Sequence, residues 1–331
     1  MILDGTSAAA VAQAVKALAS DELVAFPTET VYGLGADACS DAAVAKIFAA
    51  KGRPSDHPLI VHVADASAVP LFASEVPAFA QQLMQAFWPG PLTLILPRRA
   101  DRAAAAAGGQ SSIGLRCPAH PVAHALLLAC SRNEPPIAGL AAPSANKFGR
   151  VSPTTAEHVR SEFGEGLLVL DGGPCRVGIE STIVDCTRGV PVLLRPGVLT
   201  QAQVEAVCGQ ALRLPHELQE PAPRASGTLA SHYAPRARVR LMDADALQAA
   251  LDLLGAEAPE MAIYSRAILR TRSDKVLRRR MPDDAVETAR QLFAVLREFD
   301  DRGVSLIWVE MPPDEPDWAG VRDRLQRAAA G

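Results

Sequence analysis

The sequence predicts an α/β protein in two parts: a larger domain on a mixed sheet, then a smaller domain on a parallel sheet. Three observations predict this. Up to about residue 215, helical and strand-like segments alternate. Yet the runs "GLLVLDGG" (166–173), "STIVDCT" (181–187) and "PVLLRPG" (191–197) lie too close together for helices between them, so the sheet must include antiparallel pairs. Residues 213–237 are rich in proline and small residues and lack apolar periodicity, as a linker does. Beyond them strand and helix alternate again, the pattern of a small parallel sheet. A chain of 331 residues suits two domains. The expected division is 1–215, a linker 216–236, and 237–331.

In the first part, "AAAVAQAVKALAS" (8–20) reads as a helix capped near Thr6 or Ser7, and "ELVAFPT" (22–28) as a strand. "SDAAVAKIFAAKG" (40–52) reads as a helix with Ser40 as N-cap and Gly52 near its end. "PLIVHV" (58–63) is a short apolar strand, and residues 75–88 a helix. "LTLILP" (92–97) and "SIGLRCP" (112–118) are strands, "HPVAHALLLACS" (120–131) a helix, and "IAGLAAPSAN" (137–146) a strand running into a loop. "SPTTAEHVRSEFG" (152–164) is a helix. The alanine run 103–107 followed by "GGQ" reads as a mobile loop. In the second part, "RVRLMD", "MAIYSRA" and "SLIWVEMPP" are strands and "ALQAALDLLG" and "ETARQLFAVLREFDDRG" helices. The basic run "RTRSDKVLRRRMP" (270–282) reads as solvated surface.

With 49% hydrophobic residues the chain can fill two cores. A net charge of −4 disfavours a protein that holds nucleic acid by its overall field, so no stable nucleic-acid binding is expected; a local basic pocket stays open. The six cysteines form no CxxC pair, so no metal site is expected, and they read as reduced thiols of a cytosolic protein. The N-terminus lacks a basic leader, and no apolar run reaches about 18 residues, so a cytoplasmic protein without a membrane span is expected.

The P-loop, the GxGxxG turn, HExxH and GxSxG are all missing. Instead, cations, hydroxyls and small residues cluster where strands end. "FPTETVYGLGADA" combines Thr28, Thr30 and Tyr32 with glycines, a pattern that admits a polar ligand but also serves a turn with Tyr32 packed in the core. "KGRPSDHPLIVH" (51–62) sets Lys51, Arg53, His57 and His62 around a proline, either a solvated turn or an anion cradle. "SSIGLRCP" carries Ser112 and Arg116 at opposite ends of a short strand, and an arginine in so apolar a segment needs an anionic partner. "APSANKFGRVSPTT" offers Ser144, Asn146 and Ser152, the last equally an N-cap. Ser181 opens "STIVDCT", and Arg195 ends a strand in "LLRPG".

In order, "PTETVYGLG", "KGRP…HPLIVHV", "WPGPLTLIL", "GLRCP", "APSAN", "DGG…ESTIVD", "LLRPG" and "HYAP" resemble the YrdC-type L-threonylcarbamoyladenylate synthases in their long, two-domain form. The resemblance is strong over about residues 5 to 200, clear in the linker and weaker beyond. It implies a YrdC-like twisted mixed sheet with a positive concave face, then a smaller Rossmann-like α/β domain. It also implies an enzyme, a nucleotidyltransferase, that joins L-threonine, bicarbonate and ATP into threonylcarbamoyl-AMP and pyrophosphate. Downstream proteins would pass the threonylcarbamoyl group to tRNA. By similarity Tyr32, His62, Arg116, Ala142 and Ser181 would hold threonine. Arg53, His57, Ser112, Ser144, Asn146, Ser152 and Arg195 would line the ATP site, with Lys51 and Arg53 as the catalytic cations and Tyr233 closing from the linker. Magnesium would travel with ATP, held by phosphate and water. Two anions must meet in this reaction, and desolvated cations reduce their repulsion.

The sequence departs from the family at the linker, where "ASGTLASHYAP" puts Ser226 and Thr228 in place of a usual proline and methionine, and in the final helix, where "DWAGVRDRLQRAA" keeps part of the usual pattern. Competing readings are an RNA-binding module, a carbamoyl-transfer relative, and a scaffold without catalysis. The first lacks interleaved aromatics, the second lacks zinc-finger cysteines, and the third sits badly with the retained cations.

Overall fold

The computed structural model describes all 331 residues and divides them into two compact units. One is Met1–Phe148 with Ser152–Thr228; the other is Gly149–Val151 with Leu229–Gly331. No helix is long and apolar enough to cross a membrane.

The first unit runs β1 (Ile2–Asp4), α1 (Ala8–Ala19), β2 (Val24–Phe26), β3 (Gly33–Asp37), α2 (Asp41–Lys51), β4 (Ile60–His62), α3 (Ala78–Phe87), β5 (Leu92–Pro97), β6 (Ser112–Arg116) and α4 (Pro121–Ser131). It continues with β7 (Leu140–Ala141), α5 (Ala156–Phe163), β8 (Leu168–Asp171), β9 (Thr182–Asp185), β10 (Val192–Arg195) and α6 (Gln201–Cys208). Its ten strands form one sheet in the order β1-β8-β2-β3-β7-β4-β6-β5-β9-β10. The sheet is mixed, but of the three crowded runs only β9 and β10 pair antiparallel; β8 crosses to the far half of the sheet and pairs parallel with β1 and β2, as do β4 with β6 and β5 with β9.

Both faces of the β1-β8-β2-β3-β7 half of this sheet are covered, and side-chain alternation shows it. Val24, Phe26, Leu140 and Leu170 belong to the core beneath α1 and α4, while Ala25, Ala141 and Val169 belong to the core beneath α2 and α3. Gly35 is required here, because a Cβ on it would stand 2.7 Å from the Phe26 ring. The glycines of "TVYGLGADA" therefore serve strand packing. Residues 33–37, expected as loop, are strand β3, its apolar signal diluted by those glycines. β1 and α6 also escaped the pattern, being only three and eight residues long. The alanine run 103–107 is not a mobile loop: Ala103, Ala106 and Ala107 are buried, and the Ala106 carbonyl accepts from the Leu59 amide at 2.7 Å.

The second unit contains β11 (Arg238–Met242), α7 (Ala244–Leu254), β12 (Met261–Ser265), β13 (Val276–Arg280), α8 (Ala285–Asp301), β14 (Leu306–Glu310) and α9 (Ala319–Ala329). All its strands are parallel, in the order β11-β14-β12-β13. The end of the basic run, expected as plain surface, is the edge strand β13; three consecutive arginines hide its strand character from an apolar pattern. Residues 149–151 join this unit through the Gly149 carbonyl, which accepts from Ala234, and an Arg150–Asp300 ion pair at 3.3 Å.

Candidate active site

The site grows from one face of the first sheet. β4 and β6 run parallel in a register that pairs Ile60 with Gly114 and His62 with Arg116. Residues two apart share a face, so Ser112, Gly114 and Arg116 line up beside Ile60 and His62. Register continues the row across β5 through Ile95 and Thr93, and across β9 through Ile183. Ile60, Ile95 and Ile183 pack into a small apolar floor, with Ala225 of the linker against it. Polar side chains flank this floor: His62 and Arg116 at the carboxyl ends of two parallel strands, Thr93 and Ser181 joined by a 2.7 Å hydroxyl pair, and Arg195. Ligands of α/β sheets gather at such carboxyl ends. The isoleucine floor went unread in sequence, since three isolated isoleucines announce nothing until register aligns them.

Arg116 is buried, and its Nη2 donates to Glu29 Oε1 at 2.7 Å, while Glu29 Oε2 accepts from the Ala119 amide at 3.0 Å. The anionic partner that the apolar strand demanded is thus supplied from "PTET". Sequence reasoning missed Glu29; the signal was one carboxylate between the two threonines. Thr28 and Thr30 close an ST turn, with Thr28 Oγ1 donating to the Val31 carbonyl at 2.7 Å. Tyr32 is fully buried, and its hydroxyl donates to the Gly173 carbonyl at 2.9 Å; burial raises its pKa.

His62 is buried beside Arg116, and its Nδ1 has no hydrogen-bond partner. A buried, unpaired ring nitrogen costs about 1–3 kcal/mol and is the kind of atom a substrate satisfies. Burial first, then the Arg116 charge, push its pKa down to about 3. An unfolded histidine titrates near about 6.5, so between these values only the unfolded chain binds the proton. Stability from this group therefore rises with pH from about 3 to about 6.5 and is flat above that. The variant His62→Gln is expected to flatten the acid limb of melting temperature against pH; an unchanged slope would refute this.

The helix α2 ends as its sequence dictates. Ser40 Oγ accepts from the Ala43 amide, and Gly52 turns left-handed at φ +66°. That reversal leaves Lys51 on the last helical turn and Arg53 just beyond it. Lys51 Nζ is buried and donates to the carbonyls of Ser144, at 2.6 Å, and Asn146. Burial and neighbouring Arg53 hold its pKa well below the usual amine range. The "APSAN" loop is thereby gripped from below, while its Ala145 amide donates to the Tyr32 carbonyl and its Ala142 amide to that of Ile60.

Arg53 Nη2 donates to the Pro58 carbonyl at 2.9 Å and to Ser226 Oγ at 3.1 Å, and its guanidinium lies 5.7 Å from the Phe148 ring. His57 packs on the same ring and is only half-buried; burial and Arg53 lower its pKa. A bulge between Leu193 and Arg195 re-aims Arg195, which donates to the Ser181 carbonyl through Nε and Nη2 and to the Ser226 carbonyl at 2.9 Å. Ser226 thus meets both cations, one from "KGRP" and one from "LLRPG". The variant Ser226→Ala removes only the hydroxyl and should lower stability by about 1 kcal/mol in a denaturant titration.

Ser112 opens β6, four residues and roughly 13 Å along the strand from Arg116. Asn146 is buried and its Nδ2 donates to the Lys147 carbonyl at 2.7 Å. Ser152 is not the helix cap, a role taken by Thr155; its hydroxyl donates to Glu180 instead. Tyr233 belongs to the second unit, where it stacks on Phe293 at 5.5 Å and lies beneath the Arg324 guanidinium.

The profile of the Sua5–YciO–YrdC family, described as "Telomere recombination", matches residues 16–197, and that described as "Threonylcarbamoyl-AMP synthase, C-terminal domain" matches residues 199–330. The chain belongs to the Sua5 family. It is 40% identical to the threonylcarbamoyl-AMP synthase of Pyrococcus abyssi over 93% of this chain and 90% of that one. It is also 40% identical to the Bacillus subtilis protein of the same name, over 97% and 93%. The crystal structure of P. abyssi Sua5 complexed with L-threonine superposes with a TM-score of 0.86 at 36% identity, covering 96% of this chain and 94% of that one. The two-part architecture of this Sua5-family chain is thus matched across nearly its whole length.

Proposed function

We propose that this chain is a nucleotidyltransferase that makes threonylcarbamoyl-AMP and pyrophosphate from L-threonine, bicarbonate and ATP, for threonylcarbamoyladenosine modification of tRNA. The observation that carries this reading is the buried pair His62 and Arg116, side by side at the ends of two parallel strands, with Arg53 and Arg195 converging on Ser226 of the same unit. Family membership and the L-threonine complex of the P. abyssi relative support it.

In this reading Arg116, oriented by Glu29, offers its remaining donors to the threonine carboxylate. Neutral His62 satisfies its Nδ1 on the substrate, and Tyr32, Ala142 and Ser181 complete that subsite. The threonine amine takes up carbon dioxide, which bicarbonate gives by losing hydroxide, and the amine's proton joins that hydroxide as water, leaving a carbamate. A carbamate oxygen then forms a bond to the α-phosphorus of ATP, and the bond to the β-phosphate oxygen breaks, releasing pyrophosphate. Arg53 and Arg195 exchange Ser226 for phosphate oxygens and offset charge on the departing group. The isoleucine floor suits the base or ribose, and His57, Ser112, Ser144, Asn146 and Ser152 are the remaining nucleotide contacts. Tyr233 is the expected contribution of the linker. Lys51 acts through the "APSAN" loop it holds. The flanking side chains are mostly donors, which fit phosphate rather than metal, so magnesium would be carried by ATP and water. The expected partners are L-threonine, bicarbonate, ATP and the downstream tRNA threonylcarbamoyl-transfer proteins.

The test is pyrophosphate release from ATP with bicarbonate and magnesium, with and without L-threonine. Release should depend on threonine, be weaker with serine and disappear in Arg116→Ala. Threonine-independent release would overturn the substrate assignment.

A further inference from the structure

The basic run that the active site does not use has a definite place in the second unit. Residues 266–280 carry six arginines and one lysine against one aspartate, a net +6 in a chain whose total is −4. They form the loop after β12 and the edge strand β13 of the parallel sheet.

This charge is not absorbed by a ligand crevice within the sheet. The connection from β12 runs outward to β13, and the one from β13 returns to β14, so the carboxyl ends of β12 and β14 flank the switch point where such sheets bind ligands. That point is filled by the chain itself. Glu310 at the end of β14 accepts from the Ser265 hydroxyl at 2.7 Å and from the amides of Arg266 at 2.7 Å and Ala267 at 2.9 Å, with Arg266 Nη2 on its other oxygen. Of the seven cations, Arg266 is consumed here.

The other six face outward. Arg270, Arg272 and Lys275 are exposed and make no ion pair. Alternation sends Arg278 and Arg280 to one face of β13 and Arg279 to the other. Arg279 pairs with Glu298 at 2.9 Å and Arg280 with Asp283 at 2.7 Å, both between exposed side chains, so each pair is worth at most about 1 kcal/mol and yields readily to a stronger anion. Arg278 donates only to the Leu269 carbonyl, at 3.2 Å. Between loop and strand lies a concavity of about 350 Å³ bordered by Ser265, Ile268, Leu269, Arg278 and Arg280.

We propose that this face, from the loop after β12 along the β13 edge, docks the phosphate backbone of an RNA. The chemistry favours RNA over an acidic protein. Protein interfaces centre on apolar residues, and Ile268 is the one large exposed apolar side chain of residues 266–280. Interfaces with nucleic acids are polar and strongly positive. The overall net charge argues against binding through the whole chain's field, and this segment, +3 once the partner carboxylates Glu310, Glu298 and Asp283 are counted against its +6, provides a local one.

The test is fluorescence anisotropy of the full chain with an unmodified tRNA transcript over a salt series. The triple variant R278E/R279E/R280E should bind at least about tenfold more weakly at about 100 mM KCl, with the slope of log K against log salt reduced by about 2–3. The loop variant R270A/R272A/K275A, which leaves every strand intact, should reduce the slope by a similar amount. Triple Arg→Lys replacement at 278–280 should bind as the wild type does. Threonine-dependent pyrophosphate release should be unchanged throughout, since none of these side chains is among the expected substrate contacts. Equal affinity and slope in the glutamate and loop variants would overturn the proposal and leave the arginines as guards against edge pairing. Absence of tRNA binding by the wild type, or tighter binding of polyglutamate than of tRNA, would overturn it too.

Discussion

Replacing Lys51 by methionine should reduce threonine-dependent pyrophosphate release at least about 100-fold, a change of about 2.7 kcal/mol. The ammonium is buried and spends two of its donors on the carbonyls of Ser144 and Asn146. Methionine has nearly the same length and no donor, so both carbonyls lose their partner in a dry environment. Each loss costs about 1–3 kcal/mol, which the loop would relieve by moving. That loop carries Ala142, Ser144 and Asn146, three of the expected substrate contacts. Initial rates and melting curves together decide the role. Loss of activity with a lowered melting temperature fits a lysine that positions the loop. Loss of activity at an unchanged melting temperature would put the ammonium on the substrate instead, and full activity would exclude both roles.

Replacing Glu29 by alanine should destabilise the first unit by about 3–5 kcal/mol, because Arg116 would be left charged, buried and unpaired. At about 2–4 °C per kcal/mol, a fall of roughly 10 °C in the melting temperature is expected. Glu29→Gln keeps the shape and one acceptor and should be milder. The informative quantity is the stabilisation by threonine. If the threonine carboxylate meets Arg116, it supplies the missing anion, so saturating threonine should raise the melting temperature of Glu29→Gln by more than it raises that of the wild type. An equal or smaller rise would place the carboxylate elsewhere.

Much of this was readable from the chain. Ser40 and Gly52 announce the ends of α2, since a cap hydroxyl and a left-handed glycine are local chemistry. The crowded runs at residues 181–197 announce antiparallel pairing, because a parallel crossover needs more chain than they leave, whereas the run at 166–173 leaves for the other half of the sheet and pairs parallel there. An arginine in "SIGLRCP" announces a buried anion. Less was readable where a signal was diluted: β3 by its glycines, β13 by its arginines, β1 and α6 by their shortness.

The sequence by itself determined the longer and more apolar helices and strands, where α2 stops, that the first sheet is mixed, and that cations and hydroxyls cluster where strands end. These follow from periodicity, capping and charge burial, each set within a few residues. Only the tertiary structure decided who meets whom. Glu29 reaches Arg116 across 87 positions, Lys51 reaches the "APSAN" carbonyls across more than 90, and Ser226 gathers Arg53 and Arg195. Three isoleucines far apart in the chain become one floor by strand register alone. Such pairings depend on strand order, and strand order is set by the summed burial of the whole sheet, which no local stretch of sequence contains.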